Sequence, residues 1–176
     1  MTIRHIKQLG DSALRCICER VAESELNSPD LLTLIEDMHD TLIDFQNTHK
    51  TGRGIAAPQI GSNKRIIVIE TPQFSLTLIN PTIISNSSDK FMVWDSCFSY
   101  WGIVFEVQRA REVIVSYCAT DGSSHLLRAT DDLAELIQHE VEHLDGVLAI
   151  DHLVAPGTML THSEYQKGLN HFDCRN

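Results

Sequence analysis

The 176-residue sequence lacks the features that mark several large classes of protein. No apolar run reaches the roughly 18 residues that are needed to cross a bilayer. The first residues, MTIRHIKQLGDSALR, show no apolar stretch followed by a small-residue cleavage site. Internal repeats and low-complexity segments are missing as well, and a composition of 43% hydrophobic and 22% charged residues excludes collagen-like, coiled-coil and disordered chains. We therefore expect one globular domain, located in the cytoplasm.

Positive charge is also scarce, since 14 Lys and Arg stand against 24 Asp and Glu, for a net charge of −10. A surface of this sign repels phosphate groups, so we expect neither nucleic acid nor membrane as a direct partner. Five cysteines, an odd number, argue against a disulfide framework in a reducing compartment. Histidine is the residue in excess, with nine copies, and imidazole is the commonest metal ligand in proteins.

Apolar periodicity predicts one helix near each end of the chain and strands between them. Residues 30–45 repeat apolar side chains at helical spacing, with Ser28 as a plausible N-cap and Pro29 at the first helical position. A second helix is predicted at residues 131–144, before Gly146. Strands are predicted at residues 65–70, 76–80, 82–85, 91–99, 103–110, 112–119 and 125–130. The order of these elements, a helix, then several strands, then a helix, predicts an α+β fold with mostly antiparallel strands.

The second predicted helix carries the string His-Glu-Val-Glu-His at residues 139–143. Side chains four residues apart share a helix face, so His139 and His143 can bind one metal ion while Glu140 moves protons of a water molecule. A catalytic site needs a third protein ligand. Glu164, 21 positions after His143, would suit a metalloprotease-like endoprotease, whereas Cys97 would supply a soft thiolate. The residue pattern leaves both open.

Residues 52–59 form an unusual string, GRGIAAPQ. Two glycines allow the backbone to approach another group closely, and the two alanines leave room. The side-chain N–H of Gln59 could hold an oxyanion. Taken alone, the string is typical of a tight turn.

Together, the three strings closely resemble the peptide deformylases, whose motifs GxGxAAxQ, EGCLS and QHExDH occur in this order. Residues 52–59 match the first motif fully, and residues 95–99, DSCFS, match the second in part. Residues 138–143, QHEVEH, match the third except at Glu142. The resemblance covers about residues 5–153, and it implies a catalytic domain at residues 1–153 followed by a C-terminal tail at residues 154–176.

The resemblance implies a metal-dependent hydrolase that removes the N-terminal formyl group from formylmethionine on nascent polypeptides and releases formate. Its partners would be N-formylmethionyl peptides, with transient contact to the ribosome. Glu140 would be the general base and acid, and Gln59 and the backbone N–H of Phe98 would hold the oxygen of the intermediate. The resemblance also implies one divalent ion in each chain. We expect this ion to be Fe(II), with zinc, nickel or cobalt as alternatives. The implied metal ligands are Cys97, His139 and His143.

The implied substrate cleft departs from the family pattern in its second motif. Relative to the family motif, Ser96 replaces a glycine, Phe98 a leucine and Asp95 a glutamate. We expect a shorter Asp95–Arg109 pair to support this strand. The aromatic residues 100–101 could narrow or occlude the cleft rim, or simply pack against each other. These changes leave open a deformylase-like binding protein with little or no turnover. The implied substrate-binding residues are Gly54, Ile55, Ser96 and Leu136.

Overall fold

In the computed structural model, which describes residues 2–168, three helices accompany two antiparallel sheets. The helices are α1 (Pro29–His49), α2 (Asp131–Leu144) and α3 (His162–Gln166). The strands are β1 (Gly54–Ala56), β2 (Ile66–Glu70), β3 (Ser75–Asn86), β4 (Lys90–Asp95), β5 (Ile103–Ala110), β6 (Glu112–Cys118), β7 (Ser124–Thr130) and β8 (Met159–Thr161). One sheet has the order β1-β2-β3-β6-β7 and the other β4-β5-β8. Within the described range, no helix has both the length and the apolar character for a membrane span.

The five-stranded sheet lies between the two long helices. Along β2, Ile66 and Val68 pack with the apolar face of α1, while Ile67 and Ile69 pack with that of α2. Because both faces of this strand are covered, its sequence is a continuous apolar run rather than an alternating one. The predicted α+β fold with mostly antiparallel strands is confirmed. The buried apolar residues of α2 in this core are Ala134, Leu136, Ile137, Val141 and Leu144.

Helix α1 begins as predicted and ends four residues later than predicted. Ser28 Oγ accepts a hydrogen bond from the Leu31 N–H, and Pro29 is the first helical residue. The last turn is polar, so apolar periodicity gives no signal for it. The Gln46 side chain holds this turn by donating to the carbonyl oxygens of Gly52 and Glu70, each at 3.0 Å.

Strand β3 joins the two predicted strands around Pro81 into one strand with an irregularity. Its pairing with β6 shifts register between Ile79 and Thr82, so the strand is irregular at the proline. Asn80 has a φ of 54°. Its side chain accepts from the Val21 N–H and donates to the Val21 carbonyl, each at 2.8 Å, so this conformation is held by two hydrogen bonds.

The prediction of one strand over residues 91–99 is wrong at its end, because β4 stops at Asp95. The residues from Cys97 to Tyr100 are all buried and do not alternate, and Phe98–Tyr100 form a single 3-10 turn. Cys97 caps this turn through its sulfur, which accepts from the Ser99 N–H at 3.5 Å. The cysteine is therefore held by a turn rather than by a strand.

Two further contacts position α2 and the chain after it. Gln138 forms a reciprocal pair of hydrogen bonds with the backbone of Ala110 at the end of β5, each at 2.9 Å.

Beyond residue 153, β8 pairs with β5 in the smaller sheet. The domain boundary at residue 153 stays a prediction, and residues 169–176 of the tail lie outside the described residues.

Candidate active site

Three potential metal ligands meet between α2 and the turn after β4. His139 and His143 lie one helical turn apart on the buried face of α2, and Cys97 reaches them from the turn. Cys97 Sγ lies 3.2 Å from His143 Nε2, and one donor atom from each of the three residues lies within 4.8 Å of the others. All three side chains are buried. The structure therefore brings together the three residues that the resemblance implied.

Glu164, the alternative third ligand, lies elsewhere. It is an exposed residue of α3, and its carboxylate pairs with Lys167 Nζ at 2.6 Å. Among the described residues, the two groups that could hold a metal ion do not include it. The geometry therefore gives no support to an endoprotease with Glu164 as a ligand.

The donor set fits a divalent transition metal. A thiolate and two imidazoles are the ligands that zinc and iron accept, and three protein ligands leave a position open for water or substrate. Burial and the neighbouring His139 lower the pKa of His143 well below its ordinary value, which keeps this imidazole neutral. Burial lowers the pKa of His139, but Asp95 and Cys97 together raise it well above that of an ordinary histidine. Metal binding at His139 would therefore displace a proton.

Asp95, the last residue of β4, contacts the His139 ring. Its Oδ1 lies 2.9 Å from His139 Nδ1, which leaves Nε2 of that ring for a metal. Its Oδ2 accepts a hydrogen bond from Arg109 Nη2 at 2.9 Å, so the predicted Asp95–Arg109 pair is confirmed. Arg109 Nη1 also donates to Glu142 Oε1 at 2.6 Å. Burial raises the pKa of Asp95, but His139 and Arg109 outweigh burial and hold that pKa well below its usual range.

Asp95→Asn should weaken metal binding by about 10–100-fold, because a neutral amide orients and polarises the His139 ring less well than a carboxylate. The free energy of unfolding should fall as well, since the buried Arg109 loses part of its charge compensation. Competition with a chelator measures the first effect and thermal unfolding the second. The matched control is Asp89→Asn, which removes an exposed carboxylate that pairs with Arg111. Equal metal affinity in both variants would show that Asp95 does not support the ligand.

Glu140 lies beside these residues and has one carboxylate oxygen without a hydrogen-bond partner among the described residues. The residue is 3% exposed, and this oxygen, Oε2, is buried. Burial raises the pKa of Glu140 to about 7, which suits a group that must both take and return a proton near neutral pH. A Cβ atom at Gly54 would come within 2.9 Å of Glu140 Oε1, so the glycine provides the space that this carboxylate occupies.

Gln59 presents its amide N–H group to Cys97. Its Oε1 accepts from the Ala56 N–H at 2.8 Å, which fixes the orientation of the side chain. Nε2 then lies 3.4 Å from both Cys97 Sγ and Ser99 Oγ. The amide donor is therefore held next to the place where the three ligands converge, as an oxyanion donor would be.

A cavity of about 130 Å³ connects these groups to the surface. Of the predicted substrate-binding residues, Gly54, Ser96 and Leu136 line it. Ile55 is instead fully enclosed in the core on the α1 side. Sequence reasoning missed two charged lining residues, Arg53 and Glu135, since an ion pair across 82 positions leaves no periodic signal.

Tyr100 and Trp101, which follow the second motif, make ring contacts with different residues and not with each other. The Phe98 ring stacks on Phe45 of α1 with 3.9 Å between ring centroids, and Trp101 meets the same ring edge-on at 5.3 Å. Tyr100 turns inward instead and packs against Phe105. Phe98 and Trp101 therefore form an aromatic wall of the cavity, while Tyr100 fills the core beside Cys97.

A cysteine, a histidine pair one turn apart and a buried glutamate around one small cavity define a metal-dependent hydrolase. The family model described as polypeptide deformylase matches residues 3–158. The chain belongs to this family.

Curated and solved relatives agree with this membership. A peptide deformylase of Thermoanaerobacter pseudethanolicus is 38% identical over 151 residues, which cover 86% of this chain and 89% of that protein. The class I type b peptide deformylase of Acinetobacter baumannii with Met-Ala-Ser bound has a TM-score of 0.78 and 29% identity, covering 86% of this chain and 99% of that one. The structure of the same enzyme with actinonin bound has a TM-score of 0.79 and 30% identity. The match covers 87% of this chain and 99% of that one.

Proposed function

We propose that this protein hydrolyses the formyl amide of N-formylmethionyl peptides and releases formate. The observation that carries the proposal is the convergence of Cys97 with the two α2 histidines, beside the unpaired oxygen of Glu140. Support comes from relatives that are named peptide deformylases, and from the Met-Ala-Ser peptide in the Acinetobacter baumannii structure. Because such substrates arise on the ribosome in the cytoplasm, the proposal includes that compartment and transient ribosome contact.

Cys97, His139 and His143 would hold one divalent ion, with Fe(II) as the expected metal and zinc, nickel or cobalt as alternatives. When bound, such an ion lowers the pKa of water and polarises a carbonyl oxygen. Bound to such an ion as a thiolate, Cys97 would contribute a negative charge, which the imidazoles of the two histidines would not.

Glu140 is the proposed proton carrier. In the ionised form its carboxylate accepts a proton from the water that attacks the formyl carbon. The same carboxyl group then donates that proton to the departing amine of the peptide. A pKa of about 7 makes both transfers accessible near neutral pH. The Gly54 backbone keeps the Glu140 carboxylate free of steric contact, because glycine carries no Cβ.

Gln59 Nε2 and the backbone N–H of Phe98 are the proposed donors to the oxygen that becomes negatively charged during attack. One donor of this kind stabilises a transition state by about 3–4 kcal/mol. The hydrogen bond from the Ala56 N–H to Gln59 Oε1 keeps the amide in place before substrate arrives. No reorganisation is then needed at the moment of reaction. The small cavity also favours a formyl group, whose carbon carries only hydrogen, over bulkier acyl groups.

The nickel- or iron-loaded protein should release formate from formyl-Met-Ala-Ser and should leave acetyl-Met-Ala-Ser intact. Formate is measured with a coupled formate dehydrogenase assay, and a known deformylase is the positive control. Metal and peptide binding without formate would contradict the proposal and would favour a deformylase-like binding protein. Hydrolysis of internal peptide bonds would contradict it in favour of an endoprotease.

A further inference from the structure

An ion pair forms one wall of the cavity that holds the active-site groups. Glu135 lies on α2 one turn before His139, and although it is only 8% exposed it lines the cavity. Arg53, from the segment that precedes β1, lines the same cavity, and its Nη2 donates to Glu135 Oε2 at 2.5 Å. Arg53 Nη1 also donates to the Asp132 carbonyl at 3.3 Å, so the guanidinium is tied to α2 at two points.

This wall lies in the same cavity as the groups proposed to act on the formyl amide. Leu136 lies one turn before Glu140, and like Glu135, the residue before it in the chain, it lines the cavity. The other large apolar groups of the cavity, Phe98 and Trp101, belong to the aromatic wall that packs on Phe45 of α1. A side chain that extends from the reacting amide along α2 therefore meets a carboxylate and a guanidinium as well as Leu136.

An apolar side chain is a poor match for such a wall. Methionine offers neither a strong hydrogen-bond donor nor a strong acceptor, so it would cover the polar atoms of the pair without replacing their water. The amide side chain of glutamine has nearly the same length as methionine. Its carbonyl oxygen can accept from the guanidinium, and its NH₂ group can donate to the carboxylate.

We propose that the Arg53–Glu135 pair determines the side-chain specificity of this enzyme, so that N-formyl peptides beginning with a polar, hydrogen-bonding residue such as glutamine are accepted at least as well as those beginning with methionine. This inference rests on the proposed function, because it concerns the substrate of the same site. If the pair only tethered residues 51–54 to α2, its removal would affect all peptides to the same extent.

The test compares formyl-Gln-Ala-Ser with formyl-Met-Ala-Ser on the nickel-loaded protein. For the wild type, kcat/KM for the glutamine peptide should equal or exceed that for the methionine peptide. The double variant Arg53→Leu, Glu135→Leu should shift this ratio toward methionine by about tenfold or more, as expected when paired polar groups are removed from a pocket. The matched control is Arg128→Leu, Glu112→Leu, which removes an exposed ion pair between β7 and β6 and should leave the ratio unchanged.

Glu135→Leu alone is the second variant, for use if the double variant does not fold, and it should shift the ratio in the same direction, because it removes the acceptor while the exposed Arg53 keeps contact with water. Calorimetric binding of the product peptides Gln-Ala-Ser and Met-Ala-Ser adds a readout that does not depend on turnover. If neither peptide yields formate, the proposed function is overturned. Binding of the two product peptides would still report on side-chain specificity. A wild-type kcat/KM that is higher for the methionine peptide than for the glutamine peptide, or a ratio that the variants leave unchanged, would overturn this inference.

Discussion

Glu140→Gln is expected to reduce formate release by about 10²–10⁴-fold while the metal stays bound. The amide has the same shape as the carboxyl group, so the space beside Gly54 is filled as before. Glutamine cannot accept a proton from water or return it to the amine, and the proton transfer is lost. Because Glu140 lies beside the three proposed ligands without being one of them, metal content should equal that of the wild type.

The control for this variant is Glu36→Gln, which changes an exposed carboxylate on α1. It should retain wild-type turnover. Formate release by Glu140→Gln within a factor of a few of the wild-type rate would remove Glu140 from its proposed role. Loss of the metal together with turnover would instead make Glu140 part of the ligand support.

Cys97→Ser is expected to lose most of its bound metal, whereas Glu164→Gln should retain all of it. The serine hydroxyl keeps its proton near neutral pH and is a much poorer ligand than a thiolate. Glu164 is exposed and pairs with Lys167, away from the convergence of the three ligands. Metal content per chain, measured by plasma emission spectroscopy after anaerobic purification, separates the two outcomes. Glu164→Gln without metal, or Cys97→Ser with a full complement, would reverse the assignment of the third ligand.

Much of the site could be predicted from the sequence because its parts are local strings. The two histidines and Glu140 lie within five residues of one helix, and helical geometry alone brings them to one face. The convergence of Cys97 with this helix was implied only by the resemblance, since the residue pattern left Glu164 open as well. The structure brings the cysteine to the histidines through a buried turn that no periodic pattern predicts.

The residues that sequence reasoning missed act through contacts between distant parts of the chain. Asp95 was predicted to pair with Arg109, but its contact with His139 joins β4 to α2 across 44 positions and follows no spacing rule. The same holds for Arg53, in the segment before β1, and Glu135, on α2, which form an ion pair. Glu135 interrupts the apolar pattern of α2 and is nevertheless buried, and such a residue is visible only in the folded chain.

The most direct test of the account is the X-ray absorption spectrum at the metal edge of the zinc-loaded wild-type protein. It reports which elements surround the ion, without dependence on any substrate. We expect one sulfur and two imidazole nitrogens, supplied by Cys97, His139 and His143. A coordination shell of nitrogen and oxygen alone, with no sulfur contribution, would contradict the account.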